Sequence, residues 1–387
     1  MPCVHFRENL LLSLIDSPSY QWIDTPKALD DACAHLADAD VIALDTEFFR
    51  EKTFYPVTAL VQFAGNGVTY LVDPLAVDCT PACQALLQNA ALKLIHASSE
   101  DLEVFQCWAG VLPTPLMDTQ VAQGFLGETP GMGYQKLVAY WLDETLPKEE
   151  TRSNWLNRPL TQSQCDYAAL DVICLLEVWQ KQAEALEKNG RMAWARAQCQ
   201  TLIEQAGRSA EQDAQWFTRQ RQLWRLSPRQ IEAYRLMTTW REGETRQRNL
   251  PRNWLVSDKV LFAVAETMPK NRFELAAVED IKPSFIKKGG DTLLALVKDA
   301  QHCEAEALPH AWPDPARPPF KPLFKTLKKA VSERGEALGM APEMLLRRRD
   351  IEAIAMQVLA GETPVLPDGW RGECLNVALT QALKEAS

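Results

Sequence analysis

The stretch Val41-Ile42-Ala43-Leu44-Asp45-Thr46-Glu47-Phe48-Phe49 opens on four apolar residues and follows the polar run Ala37-Asp38-Ala39-Asp40. Such a run reads as a β-strand entering a core. Alternate side chains on a strand share a face, so Asp45 and Glu47 converge on one pocket while Thr46 points away from it. Unpaired charge at the end of a buried strand is costly, which calls for a positive partner. Around this strand, apolar runs place others near Thr58 to Ala64, Thr69 to Asp73 and Leu92 to His96. The first three strands are close enough in sequence for antiparallel hairpins, with the fourth added in parallel and helices after it. The N-terminal half is therefore mixed α/β.

Two further acidic stretches complete the pattern. In HASSEDLEVF (96–105), Asp101 falls in the expected first turn of a helix. In YAALD (167–171), Tyr167 and Asp171 lie one turn apart on a helix expected to start at Thr161 as N-cap and to end before Asn189-Gly190. Their stripe continues through Cys174, Leu175 and Val178, so Asp171 faces inward beside a phenol. Bare, the four carboxylates would repel, and burial would raise their pKa values. Two divalent ions cancel that charge, and a pair about 4 Å apart is what in-line phosphodiester hydrolysis uses. An oxygen-only ligand set favours Mg²⁺ or Mn²⁺ over zinc. Each signature alone is commonplace: a D-x-E at a strand end is usually a solvated turn, and an Asp in a first helical turn usually answers the helix dipole. Their joint occurrence, in order, carries the weight.

With ALDTEF, TALVQFA, YLVDPL, HASSEDLEVF, PLMDTQ, SNWLNRPL and QCDYAALDV in sequence, the chain resembles the tyrosine-bearing subgroup of the DEDD exonucleases, and within it the bacterial ribonuclease D family. The resemblance implies a ribonuclease H-like domain, a mixed sheet flanked by helices, followed by one or two all-α HRDC domains. It implies that Asp45, Glu47, Asp101 and Asp171 bind two Mg²⁺ or Mn²⁺ ions and that Tyr167 orients the attacking water. The implied reaction is 3′-5′ exoribonucleolysis releasing nucleoside 5′-monophosphates, in 3′ maturation of tRNA precursors and other structured small RNAs, by a monomer. One departure is Ala97, where many superfamily members carry Asn four residues before the second-signature Asp. The alternatives are a DNA-directed 3′-5′ exonuclease and an inactive nuclease acting as an RNA-binding protein.

The 387 residues, 47 % of them hydrophobic, suffice for two or three domains. The organisation expected is an N-terminal extension (1–20), the exonuclease domain (21–210), a first HRDC domain (211–300), a Pro-rich linker (301–319) and a second, diverged HRDC-like domain (320–387). LPRNWLVSDKVLFAVAETMP and KKGGDTLLALVKDA carry the resemblance for the first HRDC domain, and PEMLLRRRDIEAI for the second. Net charge is −10 overall, but residues 1–210 sum to −13 and residues 211–387 to +3, so chemistry and RNA binding are expected to be divided between halves. No apolar run approaches the roughly 20 residues that span a bilayer, no membrane partner is expected, and LLLSLI lacks a cleavage pattern, so a cytoplasmic location is expected. Ten scattered cysteines without a CxxC are expected to be reduced thiols.

Beyond the acidic set, several residues are candidates for lesser roles. Phe48 would pack against the terminal base, and Trp155 and Arg158 in SNWLNRPL would contact the strand, in each case against an equal expectation of core packing. Lys287 and Lys288 would meet phosphate, with Gly289-Gly290 letting backbone amides approach it. Asp118 would support the metal ligands from behind or cap a helix. His96 beside Ser98 and Ser99 reads as structural, since no nucleophile elbow surrounds it.

Overall fold

The structure, a computed structural model, describes residues 17–127, 129–146, 150, 153–207, 214–312, 314–315 and 318–386. Two compact units divide them. The first holds the described residues up to Arg50, Tyr55–Gly207 and Gly339–Met344; the second holds Glu51–Phe54, those between Arg208 and Leu338, and those from Leu345 onward.

In the first unit, strands β1 (Gln21–Ile23), β2 (Val41–Phe49), β3 (Val57–Gly65), β4 (Val68–Val72), β5 (Leu92–Ile95) and β6 (Leu116–Asp118) form one sheet in the order β1-β4-β3-β2-β5-β6. β2, β3 and β4 make the expected antiparallel meander, and β5 joins β2 in parallel. The β3–β4 turn is made by Asn66 and Gly67, both at positive φ, the residue pair that a two-residue hairpin of matching twist demands. β1 and β6 add in parallel at the two edges. Neither was expected, because three residues are too few to display an alternation.

Strand parity sorts the core into layers. Ile42, Leu44, Val61, Phe63, Tyr70 and Val72 pack with residues of α1 (Pro26–Leu36), α2 (Pro81–Leu87) and α3 (Ser99–Ala109). Leu60 and Leu71, of opposite parity, pack with Cys165 and Ala168 of α6 (Gln162–Lys188), which crosses β2, β3 and β4. α4 (Thr119–Phe125), α5 (Tyr134–Leu142) and α7 (Met192–Ala206) complete the unit, with Leu137 and Val138 of α5 against Leu170, Cys174 and Val178 of α6. Each such fully buried aliphatic side chain contributes about 2 kcal/mol. α6 has the expected bounds: Thr161 and Gln164 form a reciprocal capping box, and the helix stops at Asn189, before Gly190 at φ 65°.

One buried cation fixes the approach to the site. Lys93 on β5 is fully buried, and its ammonium donates to the Asn89 carbonyl (2.6 Å), Asn89 Oδ1 (2.8 Å), the Ala91 carbonyl (2.8 Å) and the Thr114 carbonyl (3.0 Å). It thereby ties the strand that leads to Asp101 to the chain entering it and to the segment before β6.

The second unit is helical: α8 (Pro228–Gln247), α9 (Arg252–Leu255), α10 (Asp258–Thr267), α11 (Arg272–Ala276) and α12 (Pro283–His302), followed by α13 (Phe320–Leu338), α14 (Pro342–Leu345), α15 (Arg348–Leu359) and α16 (Gly369–Ala386). α14 straddles the boundary between the units. Residues 301 and 302 of the expected linker end α12; residues 313, 316 and 317 lie outside the described residues, as do 1–16 of the expected extension. Among the described residues, no helix is long and apolar enough to cross a membrane.

Replacing Lys93 with Met would take the ammonium from all four acceptors: Asn89 Oδ1 keeps the Ala91 amide, while the Ala91 and Thr114 carbonyls lose this donor. We expect a loss of about 3 kcal/mol in urea unfolding of the K93M protein, whereas a loss below about 1 kcal/mol would show the cage to be dispensable.

Candidate active site

The strand alternation that sorts the core also builds the site. Asp45 and Glu47 emerge from β2 on the face covered by α6, and one carboxylate oxygen each from Asp45, Glu47 and Asp171 lie within 4.8 Å of one another. They line a cleft of about 340 Å³ together with Phe48, His96, Asp101, Tyr134 and Tyr167. Asp101 shares the cleft but stands outside the close triple. On the opposite face of β2, Thr46 donates its hydroxyl to Asp101 Oδ1 at 2.5 Å.

Bare carboxylates this close are hard to ionise. Burial, then the charges of Asp101, Asp171 and Glu47, hold the Asp45 carboxyl well above the usual range. Burial with Asp171 and Asp101 pushes Glu47 up to about 9. Asp101 rises to about 6 by burial, against the opposing effect of the Thr46 hydrogen bond. Burial, then the neighbouring carboxylates, also raise Tyr167, and its hydroxyl donates to Asp171 one turn along α6. Without bound cations the phenol therefore stays protonated at neutral pH. A crowded, oxygen-only donor set with raised pKa values fits hard divalent cations, which would favour the ionised forms.

Neighbouring groups hold these side chains in place. Gln62, directly opposite Asp45 on β3 and fully buried, points its amide Nε2 at Asp45 Oδ2 from 3.5 Å. Tyr134 of α5 donates to the carbonyls of Leu170 (3.0 Å) and Asp171 (2.7 Å), fixing α6 where it carries Asp171. Asp118 is the N-cap of α4, accepting from the Gln120 and Val121 amides, and it also accepts from the Ala97 and Ser98 amides and the Ser98 hydroxyl. Of the two roles expected of Asp118 the helix cap is present, and the same carboxylate clamps the turn that launches α3 and Asp101. That turn holds Ala97 at φ 57°.

The lesser candidates divide. Phe48 borders the cleft next to a register shift between Glu47 and Phe48, where Ala59 of β3 is the residue left without a partner. Such a bulge re-aims the side chains beside it. Arg158 donates to both oxygens of Asp73 (2.6 and 2.7 Å) and to the carbonyls of Ala59, Trp155 and Asn157. Its guanidinium therefore steadies the bulge and is already engaged. Trp155 is buried, with its ring 6.1 Å from that of Tyr167, so it packs behind the site.

Lys287 and Lys288 are exposed in the first half of α12, but the expected amide cradle beside them is absent. Gly289 and Gly290 are buried in mid-helix, their amides committed to the helix. A Cβ on Gly289 would meet the Phe285 ring at 2.9 Å, so the glycines serve close packing. His96 bonds Thr119 through Nδ1, and Ser98 bonds Asp118, so no Ser-His pair forms. Gln62, Tyr134 and Thr46 were missed as site residues. The one signal for Gln62 is that it alone is polar within the apolar core of TALVQFAG, apart from the leading Thr.

The 3′-5′ exonuclease family model matches residues 20–187, and the HRDC domain model matches residues 230–297. The chain is 40 % identical to ribonuclease D of Pseudomonas paraeruginosa over 96 % of this chain and all of that one. It is 34 % identical to ribonuclease D of Escherichia coli over 95 % of this chain and 99 % of that one. The crystal structure of E. coli RNase D, described as an exoribonuclease involved in structured RNA processing, superposes with a TM-score of 0.84, at 34 % identity over 95 % of this chain and 99 % of that one.

An acid whose pKa is raised on folding stabilises the fold below its unfolded pKa and loses that contribution as pH climbs to the folded value. With Asp101 at about 6 and Glu47 at about 9, the metal-free protein should lose stability steadily between pH 4 and pH 9. In EDTA we expect Glu47→Gln to raise Tm at pH 8 by about 3 °C and to leave it nearly unchanged at pH 4.5. A lower Tm at pH 8 would contradict the repulsion.

Proposed function

The chain belongs to the ribonuclease D family and is a 3′-5′ exoribonuclease, and we propose that it removes nucleoside 5′-monophosphates one at a time from the 3′ ends of tRNA precursors and other structured small RNAs, using two Mg²⁺ or Mn²⁺ ions. The observation that carries the metal dependence is the convergence of Asp45, Glu47 and Asp171 within 4.8 Å in the cleft. These three would hold one ion, and Asp101 with Asp45 the second. When bound, the ions supply an activated water and neutralise charge on the leaving oxygen.

The protein's own groups do the rest. The Tyr167 hydroxyl holds the water in line with the scissile phosphorus. Phe48, at the rim beside the bulge, offers a face to the terminal base. Lys287 and Lys288 are proposed to meet the RNA backbone as exposed point charges, and the basic excess of residues 211–387 is in keeping with that role.

A second HRDC-like module at 320–387 is also proposed. Its support is a repeated order of elements: a long helix, a four-residue helix opening next to a proline, then a helix of 10 or 12 residues. α8, α9 and α10 follow that order, and so do α13, α14 and α15.

Asp45→Ala or Asp171→Asn should lower kcat by about 10³-fold, roughly 4 kcal/mol of transition-state stabilisation, with the fold intact. Tyr167→Phe should impair turnover while leaving metal affinity nearly unchanged. The decisive assay uses a 3′-labelled tRNA precursor with Mg²⁺ or Mn²⁺, compared with EDTA and with DNA of the same sequence. Wild-type turnover in the Asp variants would sink the active-site assignment, and equal rates on DNA would favour a DNA-directed enzyme.

A further inference from the structure

We propose that Thr46 is a positioning residue that sets the affinity of the second divalent ion, by fixing the Asp101 carboxylate through one oxygen and leaving the other as the metal donor. The proposal rests on the two-ion reading of the site and goes beyond it in assigning the second ion's control to a residue that is no ligand.

Three observations carry it. Thr46 and Asp101 come from elements 55 residues apart, both are buried, and their 2.5 Å hydrogen bond links the strand bearing Asp45 and Glu47 to the helix bearing Asp101. Among the described hydrogen bonds, Thr46 is the side chain that bonds the Asp101 carboxylate. Asp101 also lies outside the set of three carboxylates that already converge, so it is the ligand whose placement distinguishes the second ion from the first.

Strand parity makes this division of labour possible. Asp45 and Glu47 face α6, and Thr46 between them faces α3. One strand segment thus supplies two ligands directly and orients a third through a hydroxyl. A carboxylate free to rotate would lose rotamer entropy on binding an ion, and the Thr46 bond removes part of that loss in advance. Groups that orient a ligand from behind in this way are worth about 10- to 100-fold in metal affinity.

The test is a Mn²⁺ titration of the full chain, with free ion read by electron paramagnetic resonance in saturating adenosine 5′-monophosphate. Wild type, T46V, which keeps the shape and removes the hydroxyl, and T46S, which keeps the hydroxyl, are compared. The expected result is two sites in wild type and in T46S. In T46V the first site should stay within about twofold and the second should weaken at least about tenfold, with turnover recovered at high Mn²⁺. Two wild-type sites that T46V leaves unchanged would overturn the Thr46 assignment alone. So would an equal weakening of both sites in T46V and T46S, which marks a packing role. A wild-type chain binding fewer than two ions would overturn the two-ion reading, and this proposal with it.

Discussion

The site depends on a constraint of backbone geometry: successive side chains of a strand leave on opposite faces. On β2 that rule sends Ile42, Leu44 and Thr46 toward the layer of α1, α2 and α3, and sends Asp45 and Glu47 toward α6. A slip of one residue would exchange the two sets, burying the acids among the aliphatic side chains of α1 to α3 and presenting leucine to the cleft. The register is secured on both sides, by β3 in antiparallel pairing and by β5 in parallel pairing. Chemistry and core packing are thus alternate readings of one nine-residue segment.

Much of this was legible from the residues. Four strands followed from apolar runs, the antiparallel meander from their closeness in sequence, and both ends of α6 from capping chemistry at Thr161 and Asn189-Gly190. The inward face of Asp171 followed from helical periodicity. What escaped depends on partners far apart in sequence. Parity indicated that Thr46 faces away from Asp45, but nothing local indicates that Asp101 awaits it there. Arg158 offered equal reasons for binding substrate and for packing until Asp73, 85 residues earlier, supplied the partner. Gly289-Gly290 reads locally as a place where amides approach phosphate, yet both lie inside α12, and the space a Cβ on Gly289 would fill is occupied by the Phe285 ring.

Electrostatics and mechanics point the same way in the first unit. Lys93, Arg158 and Asp118 are charged groups in or near the core, and each is surrounded by several hydrogen-bond partners, the condition under which buried charge is tolerated. Each also holds a segment that leads to an acid of the cleft: β5 and the turn toward Asp101, the bulge after Glu47, and the start of α3. The acids of the cleft differ in being crowded with like charge, and burial with that crowding holds Asp45 and Glu47 above the usual carboxylate range.

Ala97 shows what such support makes possible. A left-handed backbone is foreign to alanine, and glycine would adopt it without steric penalty. Glycine, however, would bring many other conformations to the same turn. Because the Asp118 clamp already dictates the turn, the methyl group narrows the alternatives, and a modest local strain is exchanged for a helix that starts from a single point.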